Sequence, residues 1–310
     1  MQNQNLFSVV IPVYRSEKII SETVRQVVEF FQSNQMVFEV ILVNDGSTDS
    51  SWDVISELAS KIPEVIAIDL LKIYGQHNAN LCGFRESKGD YIITMDDDLQ
   101  NPPMEILKLI EGAKLGFDLV IGKFQTKQHS LIRRVGSRFV GWLNRKIFEV
   151  NEDLTLSNFR LIRRDVVDRV CRDQSFSPYI PGLVLKYSSK RRNVLVAHQP
   201  RVDGKSNYTL RKIMNLVANV LFNHSTIPLR YGAALGFLAA GSGFFLSLYF
   251  LVSALFSNST APGWASIVIL ISFFSGILIF LLSIVGEYLI RVLREVGSGQ
   301  SYEIREILGK

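Results

Sequence analysis

Two stretches near the end of this 310-residue chain, Tyr231 to Phe256 and Ala261 to Gly286, contain no Asp, Glu, Lys or Arg. Each exceeds the roughly 20 apolar residues that a membrane span requires. As a helix either would extend about 39 Å at ~1.5 Å per residue, against about 30 Å of hydrocarbon, so tilt or overhang is expected. The short link "SNSTAP" between them suits a helical hairpin. Arg211, Lys212, Arg230, Arg291 and Arg294 flank the pair while the link carries no charge, which predicts that both ends face the cytoplasm. The start, "MQNQNLFSVVIPVY", lacks a basic segment followed by a long apolar one, so no signal peptide is expected.

With 47% hydrophobic and 20% charged residues the chain can bury a sizeable core, but the apolar content gathers near the C-terminus. Cys82 and Cys171 form no CxxC pair, which suits a reducing compartment and argues against a disulfide or zinc framework. The four histidines show no metal-ligand spacing. The net charge of +5 fits basic segments facing a membrane, and no aromatic-interleaved basic motif points to a nucleic-acid partner.

The first hundred residues alternate two patterns. "FSVVIPVY", "FEVILVNDGS", "VIAIDLL" and "YIITMDDD" read as strands, and "SETVRQVVEFFQS", "SSWDVISELASK" and "NANLCGFRESKG" as helices. Continuous apolar strands with helical crossovers predict an α/β fold with a parallel sheet covered on both faces. Ligands of such sheets bind beyond the carboxyl ends of the strands, where Asp45, Gly46 and the 96–98 carboxylates fall. The glycine signatures of dinucleotide and P-loop sites are absent, so a bound nucleotide needs other groups. "NDGSTDSS" is equally a turn leading into a helix cap.

The strand "YIIT" runs into "MDDDLQNPP". Adjacent carboxylates repel unless water, a cation or a proton relieves them. Two readings of the residues stay open. One is a solvated acidic turn before the helix of "PPMEILKLIEGA". The other is a site for a hard cation, because alternation along an extended segment would set Asp96 and Asp98 on one face toward Mg²⁺ or Mn²⁺, with Gln100 adding an oxygen. Further on, "LIRRVGSRFVGWLNRKIF" is basic and apolar together, and "TLRKIMNLVANVLF" sets Ile213, Leu216, Val217, Val220 and Leu221 on one helical face. Placed just before the first span, that helix is expected to lie in the membrane interface.

Taken in order, "VVIPVY", "VNDGSTD", "YGQHNANLCGF", "DDDLQNPP", "FRLIRRDVV", "GKSNYTLRKI", "STIPLR" and the paired spans resemble the family 2 glycosyltransferases of GT-A fold, in their polyprenyl-phosphate branch. That branch includes undecaprenyl-phosphate 4-deoxy-4-formamido-L-arabinose transferases, bactoprenol glucosyltransferases and, more distantly, dolichol-phosphate mannose synthase. The resemblance implies a GT-A (Rossmann-like, mainly parallel sheet) domain over 1–200, an interfacial segment over 201–229, two transmembrane helices within 230–290 (about 231–256 and 261–288), and a cytoplasmic tail over 291–310. It implies an inverting, metal-dependent transfer from a nucleotide sugar, UDP-linked, to undecaprenyl phosphate at the bacterial inner membrane, with Mg²⁺ or Mn²⁺ as cofactor.

By the same carry-over, Asp96, Asp97 and Asp98 are the catalytic carboxylates, with metal on Asp96, Asp98 and Gln100. Pro12, Tyr14, Asp45, Gln76, Asp96 and Asp97 would meet the nucleotide sugar, Asp97 nearest the ribose and sugar. Arg134, Ser137, Arg138, Arg201 and Lys205 would hold the acceptor phosphate. One departure stands out: "SNFR" places Asn158 where some relatives carry the acid of "GDFR", which puts a carboxylate base there in doubt, although Asp153 lies nearby in sequence. A processive polysaccharide synthase would carry QxxRW and more spans. A dehalogenase-type phosphatase would need Thr or Val where Gln100 stands, and a silent scaffold would have lost the acidic set. Oligomeric state is left open, a homo-oligomer included.

Overall fold

The computed structural model describes residues 5–124, 154–173, 178–197, 199, 227–256, 263–297 and 301–309. The chain divides into two units, residues 1–208 with 298–310, and residues 209–297.

The first unit is built on strands β1 (Leu6–Val13), β2 (Val37–Asn44), β3 (Val65–Leu70), β4 (Tyr91–Thr94), β5 (Leu119–Phe124), β6 (Arg160–Arg163), β7 (Arg191–Val196) and β8 (Ile304–Leu308). They form one sheet in the order β7-β5-β6-β4-β1-β2-β3-β8. β4, β1, β2 and β3 run parallel, as do β5 and β7, while β6 and β8 run against their neighbours. The sheet is therefore mixed but mostly parallel, as the continuous apolar strands predict.

Both faces are covered because successive strand residues point to opposite sides. Val9, Ile11 and Val13 enter one core layer with α1 (Ile20–Ser33), α2 (Ser51–Lys61) and α4 (Ile106–Lys114). Val10, Ile41 and Val43 enter the other with α3 (Gln76–Glu86), α5 (Arg164–Arg172) and α6 (Ile180–Tyr187). Each fully buried Val or Ile contributes on the order of 1.5–3 kcal/mol. These layers hold the sheet rigid beneath its carboxyl edge.

Chain order reverses between β1 and β4, since β2 and β3 follow on one side of β1 and β4 lies on the other. Such a switch point opens a crevice between neighbouring strand ends. Tyr14 leaves β1 and Asp96 leaves β4 at that place. β8 is an element that the sequence does not announce. It lies within the stretch read as a tail, and it pairs antiparallel with β3.

Among the described residues the second unit comprises α7 (Ile227–Phe256) and α8 (Trp264–Gly297). They pack side by side: a Cβ at Gly232 would meet Leu281 and Ile284 at 3.3 and 3.2 Å, and one at Gly236 would meet Leu281 at 2.9 Å. Among the described residues one window, Phe273–Ile290 in α8, is long and apolar enough to cross a membrane, with mean hydropathy 2.1 and none of it buried. The interfacial helix expected over 209–222 lies outside the described residues.

Candidate active site

β4 ends at Thr94, and the acidic residues that follow form a turn in which Leu99 takes a left-handed φ of 54°. Strand alternation therefore does not extend to 96–98. Each carboxylate instead meets its own partners. Asp96 Oδ1 accepts from Gln76 Nε2 at 2.8 Å and from Asn158 Nδ2 at 2.8 Å. Asp97 Oδ2 accepts from the Tyr14 N–H at 3.3 Å and from the Ser16 hydroxyl. Asp98 Oδ1 accepts from the Gln100 N–H at 3.2 Å.

A ring of contacts joins this turn to the "NDGS" turn. The Asp45 N–H donates to Val13 O at 2.9 Å, next to Tyr14, whose N–H holds Asp97. The Asp45 carboxylate accepts from the N–H groups of Tyr74 and Gly75 at 2.6 and 2.9 Å, and the next residue, Gln76, reaches Asp96. Tyr14, Asp45, Gln76, Asp96 and Asp97 are thus brought together around the switch point. Pro12 is buried within β1 two residues before Tyr14, and the Tyr14 ring is exposed with the Arg15 guanidinium over it. Gln100 gives its carbonyl to the Gln199 N–H at 2.9 Å. Arg134, Ser137, Arg138, Arg201, Lys205 and Asp153 lie outside the described residues.

Beneath Asp96 sits a polar group that sequence reading passed over. Arg160, on β6, is fully buried and donates through Nε to Thr94 Oγ1 at 3.1 Å and through Nη2 to Asn158 Oδ1 at 3.1 Å. Asn80 also donates to Asn158 Oδ1, at 3.1 Å. The Thr94 hydroxyl in turn donates to the Asn158 backbone oxygen. In sequence Arg160 looks like the nearby Arg163 and Arg164. Only the register Thr94↔Arg160 reveals that it points into the protein under the acidic turn.

Burial sets the electrostatics. It pushes the Asp96 carboxyl above its usual range, helped by the negative Asp98 and opposed by the Asn158 and Gln76 amides and by Arg160. It pushes Asp97 up to about 6, against the Ser16 and Tyr14 donors. Asp45 is likewise raised by burial despite its two backbone donors. Arg160 is pulled down to about 10 by burial, with Asp96 resisting. A desolvated carboxylate with a second negative charge beside it, as Asp96 has in Asp98, is a setting that a divalent cation relieves.

Among the described residues no three His, Cys, Asp or Glu side chains converge on one point. Among the described residues Asp96 and Asp98 are the two carboxylates that would hold such an ion, with other ligand positions left to water and substrate oxygens. That donor set fits Mg²⁺ or Mn²⁺, which commonly bind one or two carboxylates plus substrate phosphates.

A mostly parallel sheet covered on both faces, with an acidic turn at its switch point, defines an α/β protein of the open, doubly covered kind. Residues 8–171 match the model of Glycosyl transferase family 2. The chain belongs to that family. It is 32% identical over 98% of its length to the undecaprenyl-phosphate 4-deoxy-4-formamido-L-arabinose transferase of Proteus mirabilis, covering 94% of that protein. It is 30% identical, again over 98% of its length and 94% of the relative, to the uncharacterized glycosyltransferase YkcC of Bacillus subtilis. Among solved structures, the glucosyl-3-phosphoglycerate synthase of Mycobacterium tuberculosis, in complex with Mn²⁺, UDP and phosphoglyceric acid, superposes with a TM-score of 0.50. That match has 16% identity and covers 71% of this chain and 77% of that one, so it speaks for the fold alone.

Proposed function

We propose that this glycosyltransferase moves a sugar from a UDP-sugar to undecaprenyl phosphate, with inversion at the anomeric carbon, on the cytoplasmic face of a bacterial inner membrane. The observation that carries the reading is the ring joining Tyr14, Asp45, Gln76, Asp96 and Asp97 at the switch point. It sets the Asp45 turn and the end of β1 beside carboxylates suited to a diphosphate-bound cation.

Asp45, Pro12 and Tyr14 would take the nucleobase, Asp97 the ribose and sugar, and Asp96 and Asp98 with Gln100 the cation. Mg²⁺ or Mn²⁺, when bound, neutralises the charge that builds on the departing diphosphate. The residues of this chain do the positioning. Gln76 and Asn158 fix Asp96, and Ser16 and Tyr14 fix Asp97. An amide at position 158 cannot take up a proton as a general base. It does not need to, because a phosphomonoester with a second pKa of about 6 is already largely dianionic at neutral pH. Its oxygen attacks the anomeric carbon as the bond to the diphosphate breaks, so no proton has to move first. Arg134, Ser137, Arg138, Arg201 and Lys205 would hold that phosphate.

The packed α7–α8 pair, with exposed Leu238, Phe245, Leu278 and Leu282, supports a membrane hairpin that keeps the enzyme where a lipid headgroup emerges. The test is product formation by the purified full-length protein with Mg²⁺, undecaprenyl phosphate and a panel of UDP-glucose, UDP-N-acetylglucosamine, UDP-galactose and UDP-4-formamido-arabinose. One donor should be consumed far faster than the rest, giving a lipid-linked sugar of inverted configuration. Preference for GDP-mannose would refute the uracil assignment, and no lipid-linked product from well-folded protein would refute the function.

A further inference from the structure

The last strand of the chain lies along the edge of the sheet beside the Asp45 turn. Contacts other than those of Arg305 hold it there. Tyr302 is buried in the core layer of Ile66, Ile68 and Leu70, and Arg85 lies over its ring. The Leu71 N–H donates to Glu303 O at 2.9 Å, and β8 pairs with β3 through Leu70, Asp69, Ile68 and Ala67.

Arg305 adds contacts that strand pairing does not require. Its Nη1 lies 2.9 Å from Asp69 Oδ2, and its Nη2 donates to Leu71 O at 2.8 Å. Asp69 is only 2% exposed, and its other oxygen accepts from Asn44 Nδ2 at 2.7 Å. Asn44 Oδ1 accepts from the Ser47 N–H at 3.3 Å, and Ser47 Oγ accepts from the Arg15 N–H at 3.1 Å. A relay of contacts therefore runs from the C-terminal strand through the buried Asp69 to the 44–47 turn, and on to the loop that holds Asp97. A buried carboxylate keeps such order only while it is paired.

The grip on Leu71 acts on the same turn from below. The loop after Leu71 supplies the Tyr74 and Gly75 N–H groups to Asp45. Gly46 sits at φ +60°, and a Cβ there would meet Ile73 N and the Lys72 carbonyl carbon at 2.6 Å. The turn and the loop are stacked without room for a side chain, so a shift in one displaces the other.

We propose that Arg305 is a positioning residue for the nucleobase side of the donor pocket, so that a site made by the first hundred residues is completed by the strand that follows the apolar helices. This rests on the assignment of the Asp45 turn to the nucleobase.

The test compares full-length wild type, Arg305→Ala and Arg305→Lys. Two measurements are made: hydrogen exchange without nucleotide, and calorimetric titration with UDP and GDP alongside steady-state kinetics. The Arg305 side chain is 57% exposed and Asp69 keeps its bond from Asn44, so the variants should fold. In Arg305→Ala, exchange should quicken at Ser47, Tyr74 and Gly75 while the β2–β3 amides stay protected. UDP affinity should fall and donor KM rise about fivefold, the scale of one ordinary hydrogen bond, with kcat and acceptor KM unchanged. Arg305→Lys should recover part of both. Unchanged exchange at those three amides overturns the inference. Equal losses in kcat and both KM values, or lost protection across the sheet, overturn it too by marking a general brace. Faster exchange with unaltered UDP and GDP affinity upholds the relay and contradicts instead the placing of the nucleobase at Asp45.

Discussion

The side-chain amide of Asn158 donates to Asp96 Oδ1 at 2.8 Å while its oxygen accepts from Asn80 and from the buried Arg160, each at 3.1 Å. Two donors converging on that oxygen leave the NH₂ no direction but toward Asp96. Asn158 thus works as a fixed donor to a carboxylate, where an acid in the same place would add a second negative charge. Removing it in Asn158→Ala should free Asp96 to rotate and leave Arg160 short of a partner. The Mg²⁺ or Mn²⁺ concentration for half-maximal turnover should rise about 10- to 100-fold, as is usual for groups that orient a metal ligand. A metal titration of the folded variant matching wild type would remove Asn158 from that role.

Asp97 lends itself to a stability test, because its folded pKa of about 6 lies above the ordinary value of 3.8 as burial disfavours the charged form. Between those values the folded state holds a proton that the unfolded chain releases, so stability falls as pH rises from about 4 to 6 and stays lower above. Asp97→Asn removes this cost while leaving an oxygen for Ser16 and Tyr14. In EDTA and without nucleotide, the variant should melt a few °C above wild type at pH 7.5, with the difference vanishing near pH 4. A variant that melts lower than wild type at pH 7.5 would contradict the raised pKa.

Arg201 addresses the acceptor side, where the assignment comes from sequence alone. Arg201→Ala should raise the KM for undecaprenyl phosphate or lower turnover, with UDP affinity by calorimetry nearly unchanged. Equal loss of UDP affinity would move Arg201 to the donor side.

Much of the catalytic fold was legible in the chain. The runs over β1 to β4 are continuous and apolar because both faces of those strands are buried, and this also tells a parallel sheet from an antiparallel one. The carboxyl ends of the strands then located the Asp45 and Asp96 turns. Three features stayed hidden for physical reasons. The 96–98 carboxylates point to different partners because β4 stops at Thr94, which no pattern in "YIITMDDD" marks. Arg160 differs from Arg163 only by its register with β4. Strand β8 is half-exposed and short, and its partner β3 lies more than 230 residues earlier, beyond the reach of any local pattern.

The central claim is that the acidic turn serves transfer to a lipid phosphate. It is tested most directly by UDP release from the preferred UDP-sugar, measured with and without undecaprenyl phosphate, in wild type and Asp98→Asn at saturating Mg²⁺. The account predicts release that requires the lipid phosphate and falls about 100-fold or more in Asp98→Asn, because a neutral amide weakens the field that stabilises the departing diphosphate. Release that is indifferent to the lipid, or a folded Asp98→Asn protein working at near wild-type rate, would contradict it.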